Sequence, residues 1–229
     1  MIPNLPLYIS ISFILIAIYI VYAFVKSNQL KKYTLPILIT WSVLISILSY
    51  FGFYHYQEGD KGSWFLLILI PLIIFIVYLI RNKSFYEHRD FRWSTAVHIV
   101  RFPVEFLLYK LALEKWLPIE MTFEGWNFDI ILGITSIILV ILLNFKKVNR
   151  KLLLYWNIIG LIFILFIFSN GFLSQELFYK NFGYAVPNKA LAYFPIILLA
   201  GIIVPIVVYT HITDIILLTK KQPNESNFR

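Results

Sequence analysis

One helical stripe carries the polar side chains of this chain that are best suited to chemistry. Ser94, His98, Arg101, Glu105 and Tyr109 follow one another at steps of four, three, four and four. At about 100° per residue, these positions share one face of an α-helix. Histidine and glutamate can exchange protons, and arginine can hold an anionic group. The stripe is therefore suited to ion or proton movement, ligand binding or acid–base catalysis.

The stripe lies among long apolar runs that must be placed in a membrane. The composition is 60% hydrophobic and 14% charged, with a mean hydropathy of +0.78, whereas charged residues make up about a quarter of a soluble domain. About 20 apolar residues cross roughly 30 Å of hydrocarbon. We therefore predict an all-α transmembrane bundle, a single domain over residues 1–229, with seven spans near 6–25, 35–54, 63–80, 94–117, 128–145, 152–169 and 191–213.

The span near 94–117 carries charged residues, and the distribution of Lys and Arg decides that it crosses. If it does, the loops 26–34, 81–93 and 146–151 and the tail from 220 lie on one side, with fourteen of the twenty basic residues. The positive-inside rule then makes that side cytoplasmic. We expect the N-terminus outside, the C-terminus in the cytoplasm, and membrane lipids as partners.

An ionisable stripe inside a membrane normally faces the bundle interior and is paired. Arg101 and Glu105 are four residues apart and are predicted to pair with each other. Pro103 lies between them and removes one backbone hydrogen bond, which favours a bend. Two interpretations stay open: a polar seam that joins helices, or a lined conduit or ligand pocket.

A second polar group is expected near the cytoplasmic end of the last span. His211 and Asp214 are three residues apart, so the carboxylate can orient the imidazole, although both can also be simple interfacial residues. Asn157 falls at a similar depth. If these helices are neighbours, the cytoplasmic half of the membrane holds a cluster of His98, Arg101, Asn157, His211 and Asp214.

The outer side and the last span carry further signals. Glu120, Glu124, Asn127 and Asp129 precede or begin the fifth span, as a helix cap or as an acidic mouth that collects cations. The run 172–184 is predicted to form a short interfacial helix, as a lid or a connector. Two prolines, Pro195 and Pro205, predict a kinked last span.

Several classes of protein are disfavoured. The net charge of +8 is spread over short loops, so no nucleic acid is expected. The absence of Cys removes disulfides and thiolate chemistry, and no common hydrolase or nucleotide motif occurs. A haem between His98 and His211, or zinc on His98, His211 and Asp214, is chemically conceivable. We predict no cofactor and no metal.

Three segments resemble a known family: Met121–Asp129, Tyr155–Gly160, and Ala192–Pro195 continuing through Pro205 to His211. They are similar to a family of small, uncharacterised integral membrane proteins of bacteria. The resemblance covers roughly the C-terminal half of the chain. It implies seven helices and a location in the bacterial inner membrane, as a multi-pass protein, and it implies no activity.

The leading functional hypothesis is the binding or passage of a small solute or ion through an intramembrane polar cavity. The candidate residues are His98, Arg101, Glu105, Tyr109, Asn157, His211 and Asp214. One alternative is a membrane-embedded enzyme that acts on a lipid or quinone, with His98 or His211 as acid or base. Another is a non-catalytic sensor or assembly protein. The sequence does not decide whether the protein is an enzyme.

Overall fold

The protein is built from α-helices throughout the part of the chain that the structure describes. This computed structural model describes residues 2–3, 5–28, 32–60 and 66–220. Those ranges contain no β-strand, only an isolated bridge between Gln175 and Asn188. The predicted all-α class is confirmed. The start of the predicted 63–80 span lies outside the described residues. So do four of the basic residues used in the charge argument: Lys31, Lys61, Lys221 and Arg229.

Eight α-helices within the described residues form seven helical segments. They are α1 (Leu7–Ser27), α2 (Thr34–Tyr50), α3 (Leu66–Arg81), α4 (Phe91–Ala96), α5 (Arg101–Leu113), α6 (Asp129–Asn144), α7 (Arg150–Leu173) and α8 (Val204–Thr219). A 3-10 turn at Val97–Val100 joins α4 to α5, and a π-helical turn at Leu199–Ile203 leads into α8. Each predicted span overlaps one of these segments.

Three helical segments are long and apolar enough to cross a membrane: α1, α7, and the 21 residues of Leu199–Thr219. The apolar helices α2, α3 and α6 have 17, 16 and 16 residues, or about 24–26 Å at 1.5 Å per residue. Length and composition thus support three crossings. The other four predicted spans rest on the pattern of the sequence.

The last helix is the central one. Inside Leu199–Thr219, 67% of the most apolar window is buried, against 44% for α1 and 33% for α7. α8 packs along α7 and also contacts α1, α3 and the 3-10 turn before α5. Four polar side chains of α8 are therefore buried among other helices: Thr210, His211, Thr213 and Asp214.

Two prolines shape the start of this central segment. Pro205 lies in the first turn of α8 and has no N–H to donate to the carbonyl of Gly201. The indole N–H of Trp41 on α2 donates to that carbonyl instead, at 3.2 Å. The π-helical turn lies at this point, as expected where a proline frees a carbonyl. Pro195 was predicted inside the span, but helical structure begins at Ile197, and Pro195 precedes it after a cis peptide bond.

The helical segment that bears the stripe begins at a side-chain cap and changes pitch before Pro103. Asp90 accepts a hydrogen bond from the backbone N–H of Arg92 at 2.8 Å, which caps α4. Partial burial alone would raise the pKa of Asp90, but the hydrogen bonds and charge of Arg92 lower it below its usual value. The 3-10 turn at Val97–Val100 occurs where Pro103 cannot donate to the carbonyl of Ile99.

The segment between α7 and the last helix differs from the predicted interfacial helix over 172–184. α7 continues to Leu173, and only Tyr179–Phe182 forms a short 3-10 helix beyond it. Gly183 then turns the chain with φ of +78°, a conformation that glycine adopts without strain. The aromatic run is thus shared between the end of α7 and a compact turn.

Candidate functional site

The stripe predicted from the sequence is buried along most of its length. Ser94, His98, Arg101 and Glu105 are each at most 3% exposed. Tyr109 is half-buried, and its ring packs against Phe123 with centroids 5.0 Å apart. Tyr109 therefore lies apart from the polar contacts described below. The four buried residues divide into two groups, each organised by a different arginine.

Arg89 organises the first group, the Arg89 cluster, which consists of Arg89, Asp214, Ser94, Asn28 and Thr213. The Arg89 side chain is fully buried, and its Nη1 donates to Oδ1 of Asp214 at 2.7 Å. Its Nε donates to Oδ1 of Asn28 at 3.1 Å, and Nη1 also contacts the hydroxyl of Thr213. The hydroxyl of Ser94 donates to the other oxygen of Asp214. One guanidinium thus ties the loop after α3 to α1 and α8.

The predicted pairing of Asp214 with His211 is wrong. Both oxygens of Asp214 are taken, one by Arg89 and one by Ser94. A position three residues away on a helix is close enough to pair, but a buried arginine is a stronger partner than a neutral imidazole. The zinc alternative built on His98, His211 and Asp214 does not form for the same reason. Among the described residues, no group of three or more His, Asp or Glu could hold a metal.

His211 is held at both ring nitrogens. Nδ1 lies 2.9 Å from Oδ1 of Asn157, and Nε2 lies 3.0 Å from Nη1 of Arg101. A guanidinium can only donate, so Nε2 must accept, which assigns the ring proton to Nδ1 and its hydrogen bond to Asn157. The Asn157 amide N–H donates to the carbonyl of Leu153 at 2.9 Å, which fixes its orientation. The predicted proximity of Arg101, Asn157 and His211 is therefore present.

His98 stacks on His211. The ring centroids are 3.9 Å apart with an interplanar angle of 24°, and Trp156 meets the His98 ring edge-on at 5.1 Å. Neither ring nitrogen of His98 has a hydrogen-bond partner within the described ranges. A haem held between these two histidines would need their nitrogens to point at a shared iron. Stacked rings do not present them that way.

Arg101 organises the second group, and its carboxylate partner is Asp129 at the start of α6. Nη2 of Arg101 donates to Oδ1 of Asp129 at 2.5 Å, and both side chains are almost fully buried. The predicted pairing with Glu105 is wrong, because Asp129 takes the guanidinium from a neighbouring helix. Asp129 is therefore an ion-pair partner inside the protein, and the acidic outer mouth is reduced to the half-buried Glu120 and the exposed Glu124.

Asn127 connects Asp129 to Glu105. Its Oδ1 accepts the backbone N–H of Asp129 at 3.0 Å, as predicted for a cap of this helix. Its Nδ2 donates to Oε1 of Glu105 at 2.6 Å and to the carbonyl of Met121 at 3.1 Å. Oε2 of Glu105 is buried and has no hydrogen-bond partner among the residues that the structure describes.

A cavity of about 70 Å³ lies beside this second group. Its polar wall consists of Arg101, Glu105, Asn127 and Asp129. The other walls are apolar, with Ile164, Ile167 and Phe168 from α7 and Ala200, Ile203, Val204 and Val207 from the last helix. A volume of this size exceeds that needed for one water molecule, about 10–15 Å³. The arrangement can accept a small molecule with an apolar body and one polar group.

Gly160 on α7 allows the histidine stack to form, which leads to a first prediction. A Cβ at Gly160 would lie 2.3 Å from Cε1 of His211. Gly160→Ala should therefore lower the free energy of unfolding by about 1–3 kcal/mol through overpacking, despite the better helix propensity of Ala. Equilibrium unfolding in detergent measures this.

The matched control for that prediction is Gly171→Ala in the same helix. A Cβ at Gly171 meets the flexible end of Met121 at 3.1 Å and Cδ1 of Leu191 at an ordinary contact distance of 3.9 Å. This variant should be near neutral or more stable. Equal losses in both variants would contradict the steric role of Gly160.

A family model described as Domain of unknown function (DUF8737) matches residues 62–219. The chain belongs to this family. The match to DUF8737 runs from just before α3 to the end of α8 and includes every residue that lines the cavity. It agrees with the predicted membership of an uncharacterised family. No curated protein and no solved structure gives a significant match to the chain.

Sequence reasoning missed the roles of Arg89 and Asp129 in this DUF8737 chain. Arg89 was counted among the basic residues of a cytoplasmic loop, and Asp129 was read as a helix cap or mouth residue. Their partners lie 125 and 28 residues away. No spacing rule within one helix indicates such a pairing, so only an observed helix arrangement reveals it.

Proposed function

We propose that this chain is a multi-pass membrane protein that binds a small solute in the cavity between α5, α6, α7 and α8. A membrane location is supported by large apolar side chains exposed on several helices. Ile18, Ile74, Ile138 and Ile162 are between 51% and 65% exposed, on α1, α3, α6 and α7. Soluble proteins rarely expose apolar surface this extensively. These side chains would contact lipid.

The proposed topology has seven spans, with the N-terminus outside and the C-terminus in the cytoplasm. Its support is the distribution of Lys and Arg and the presence of seven helical segments in the described chain. The charged segment 91–113 suits an interior position, because its polar face contacts α6 and α8. The bacterial inner membrane is part of the proposal and rests on the sequence resemblance alone.

The observation that carries the proposal is Glu105, a residue of the cavity wall with one unpartnered carboxylate oxygen among the described residues. Glu105 is 1% exposed, lines the cavity, and leaves Oε2 unpartnered among the described residues. A buried polar atom without a partner costs about 1–3 kcal/mol, more if it is charged. A ligand that hydrogen bonds to Oε2 recovers that cost. The cavity therefore favours a ligand with a polar group at this end.

Binding has more support than passage or catalysis. Beyond Arg101, His211 bonds to Asn157, and Asp214 forms a buried pair with Arg89. A continuous path would require those contacts to open. His98 and His211, the acid–base candidates of the enzyme hypothesis, are not among the residues that line this cavity.

The natural absence of Cys allows a direct test. Ala200 lines the cavity, whereas Ala23 on α1 is equally buried elsewhere. We expect Ala200→Cys to react with a small thiol reagent, aminoethyl methanethiosulfonate, and butan-1-ol to slow that reaction. Ala23→Cys should not react. Equal reactivity at the two positions, or a rate at Ala200→Cys that butan-1-ol leaves unchanged, would count against a ligand cavity.

A further inference from the structure

We infer that the ligand of this cavity carries a cationic group that binds Glu105, and that its binding releases one proton. The chemical class is a small organic cation with an apolar body, such as a primary alkylammonium. This inference rests on the proposed function and adds the charge of the ligand to it. The argument depends on the charges around Glu105 and on the walls opposite it.

The cavity wall holds two carboxylates but only one cation. Arg101 and Asp129 contact each other at 2.5 Å, so their charges compensate. Glu105 receives one hydrogen bond, from the neutral amide of Asn127, and no salt bridge joins it to a described residue. An ionised Glu105 would thus lack a partner of opposite charge.

No other element facing the cavity supplies that partner. Besides Arg101 and Glu105, α5 contributes apolar side chains, and α6 with its preceding loop contributes Asp129, Asn127 and Met121. The residues from α7, from the π-helical turn and from α8 that line the cavity are all apolar or Gly. Within the described lining, the charged groups are therefore Arg101, Glu105 and Asp129.

A buried carboxylate in this position has two ways to avoid an uncompensated charge. It can hold a proton, or it can face a cation that enters the cavity, since an unpaired buried charge is far costlier than either. Protonation and pairing with a cation exclude each other at the single free oxygen of Glu105. When an alkylammonium binds, the O–H bond of the Glu105 carboxylic acid breaks, its proton leaves to solvent, and the carboxylate pairs with the ammonium. Charge is conserved, since one cation enters and one proton leaves.

The same wall disfavours anions. A ligand carboxylate would lie close to both Asp129 and Glu105, and the charge of Arg101 is already compensated by Asp129. Like charges in a medium of low dielectric repel strongly. A neutral alcohol can hydrogen bond to Oε2 without exchanging a proton. Cationic, neutral and anionic ligands are therefore expected to differ in binding and in proton release.

The experiment uses the full chain in detergent, weakly buffered, with a pH indicator and isothermal calorimetry. Butylammonium, butan-1-ol and butyrate each contain four carbon atoms and differ in charge. We expect butylammonium to bind with release of about one proton per site, butan-1-ol to bind without release, and butyrate not to bind. The affinity for butylammonium should also rise about tenfold per pH unit while the empty site is protonated.

Two variants test whether the proton that is released on binding comes from Glu105. Glu105→Gln keeps an acceptor oxygen and removes the acid, so it should lose proton release and at least tenfold in butylammonium affinity while still binding butan-1-ol. Glu114→Gln makes the same change on the exposed end of the same segment and should behave as the unaltered protein. Proton release that persists in Glu105→Gln would overturn the assignment to Glu105.

The outcomes separate this inference from the proposed function. If butan-1-ol protects Ala200→Cys but butylammonium binds without proton release and without pH dependence, the cavity stands and the cation inference fails. If no probe binds and Ala200→Cys is unreactive, both fail. The pH dependence is measured on the unaltered protein, so the inference can be overturned even if Glu105→Gln does not fold.

Discussion

Asp214→Ala is expected to lower the free energy of unfolding by about 3–5 kcal/mol, because it leaves a fully buried guanidinium without its carboxylate. Arg89 and Asp214 are both 0% exposed in their side chains, and their closest atoms lie 2.7 Å apart. The hydroxyl of Ser94 loses its acceptor in the same variant. Equilibrium unfolding in detergent micelles measures the loss.

Two controls make that result specific to the buried pair. Glu87→Ala removes an exposed carboxylate two residues before Arg89 and should change stability by no more than about 0.5 kcal/mol. The double variant Arg89→Met with Asp214→Leu removes both charges and should recover much of the loss. If the double variant is as unstable as the sum of the losses in the single variants Arg89→Met and Asp214→Leu, the Arg89–Asp214 contact contributes no coupling energy and the interpretation is wrong.

Arg101→Leu is expected to cost a similar amount, about 3–5 kcal/mol, for the second buried ion pair. The substitution leaves Asp129 without its cation and Nε2 of His211 without its donor. The carbonyl of Gly160, 3.4 Å from the guanidinium, loses a weaker contact. The same unfolding measurement applies, and Arg101→Leu combined with Asp129→Asn should be more stable than Arg101→Leu alone.

An exposed Arg–Asp pair in the same chain provides the matched control. Arg92 and Asp90 contact each other at 2.8 Å, with side chains 55% and 31% exposed. Arg92→Leu should cost no more than about 1 kcal/mol, as is usual for a surface pair. Similar losses at Arg92 and Arg101 would mean that burial does not govern the strength of these pairs.

These expected losses bear on how the site can be studied. Arg101 holds α5, α6 and α8 together through Asp129 and His211, so loss of binding in an Arg101 variant would report on folding as well as on the ligand. Among the described residues, Glu105 has one side-chain hydrogen bond, from Asn127. The polar contacts of Arg101 and the cavity proposed to bind a ligand are thus neighbours, because Arg101 and Glu105 both line that cavity. Glu105 is the residue at which binding can be tested with the least disturbance of those polar contacts.

The helices and the buried stripe were predictable because they follow from local pattern. Apolar runs of sufficient length predict helices, and each predicted span overlaps a helical segment in the described chain. Steps of three and four along a helix place Ser94, His98, Arg101 and Glu105 on one face whatever the partners are. The high cost of exposing such a face to lipid predicts that it is buried. Helix ends near proline were less predictable, because the last helical stretch begins at Ile197, after Pro195.

The partners of the charged residues were not predictable from the sequence. Spacing within one helix suggested Arg101 with Glu105 and His211 with Asp214, and the structure contains neither pair. Arg101 instead bonds to Asp129 and His211, and Asp214 bonds to Arg89 and Ser94. Residues three or four apart can always approach each other, so spacing alone cannot show that a stronger partner arrives from another helix.

The sequence by itself determined the all-α class, the approximate helices, and the burial of one polar face, because these depend on hydrophobic period and desolvation cost along a single segment. Only the tertiary structure decided that α8 is central and that Arg89 pairs with Asp214 while Arg101 pairs with Asp129. It also decided that Glu105 lines a cavity and has one oxygen without a partner among the described residues. Those features depend on which helices are neighbours. Packing among many apolar faces of similar character decides that, and no local pattern encodes it.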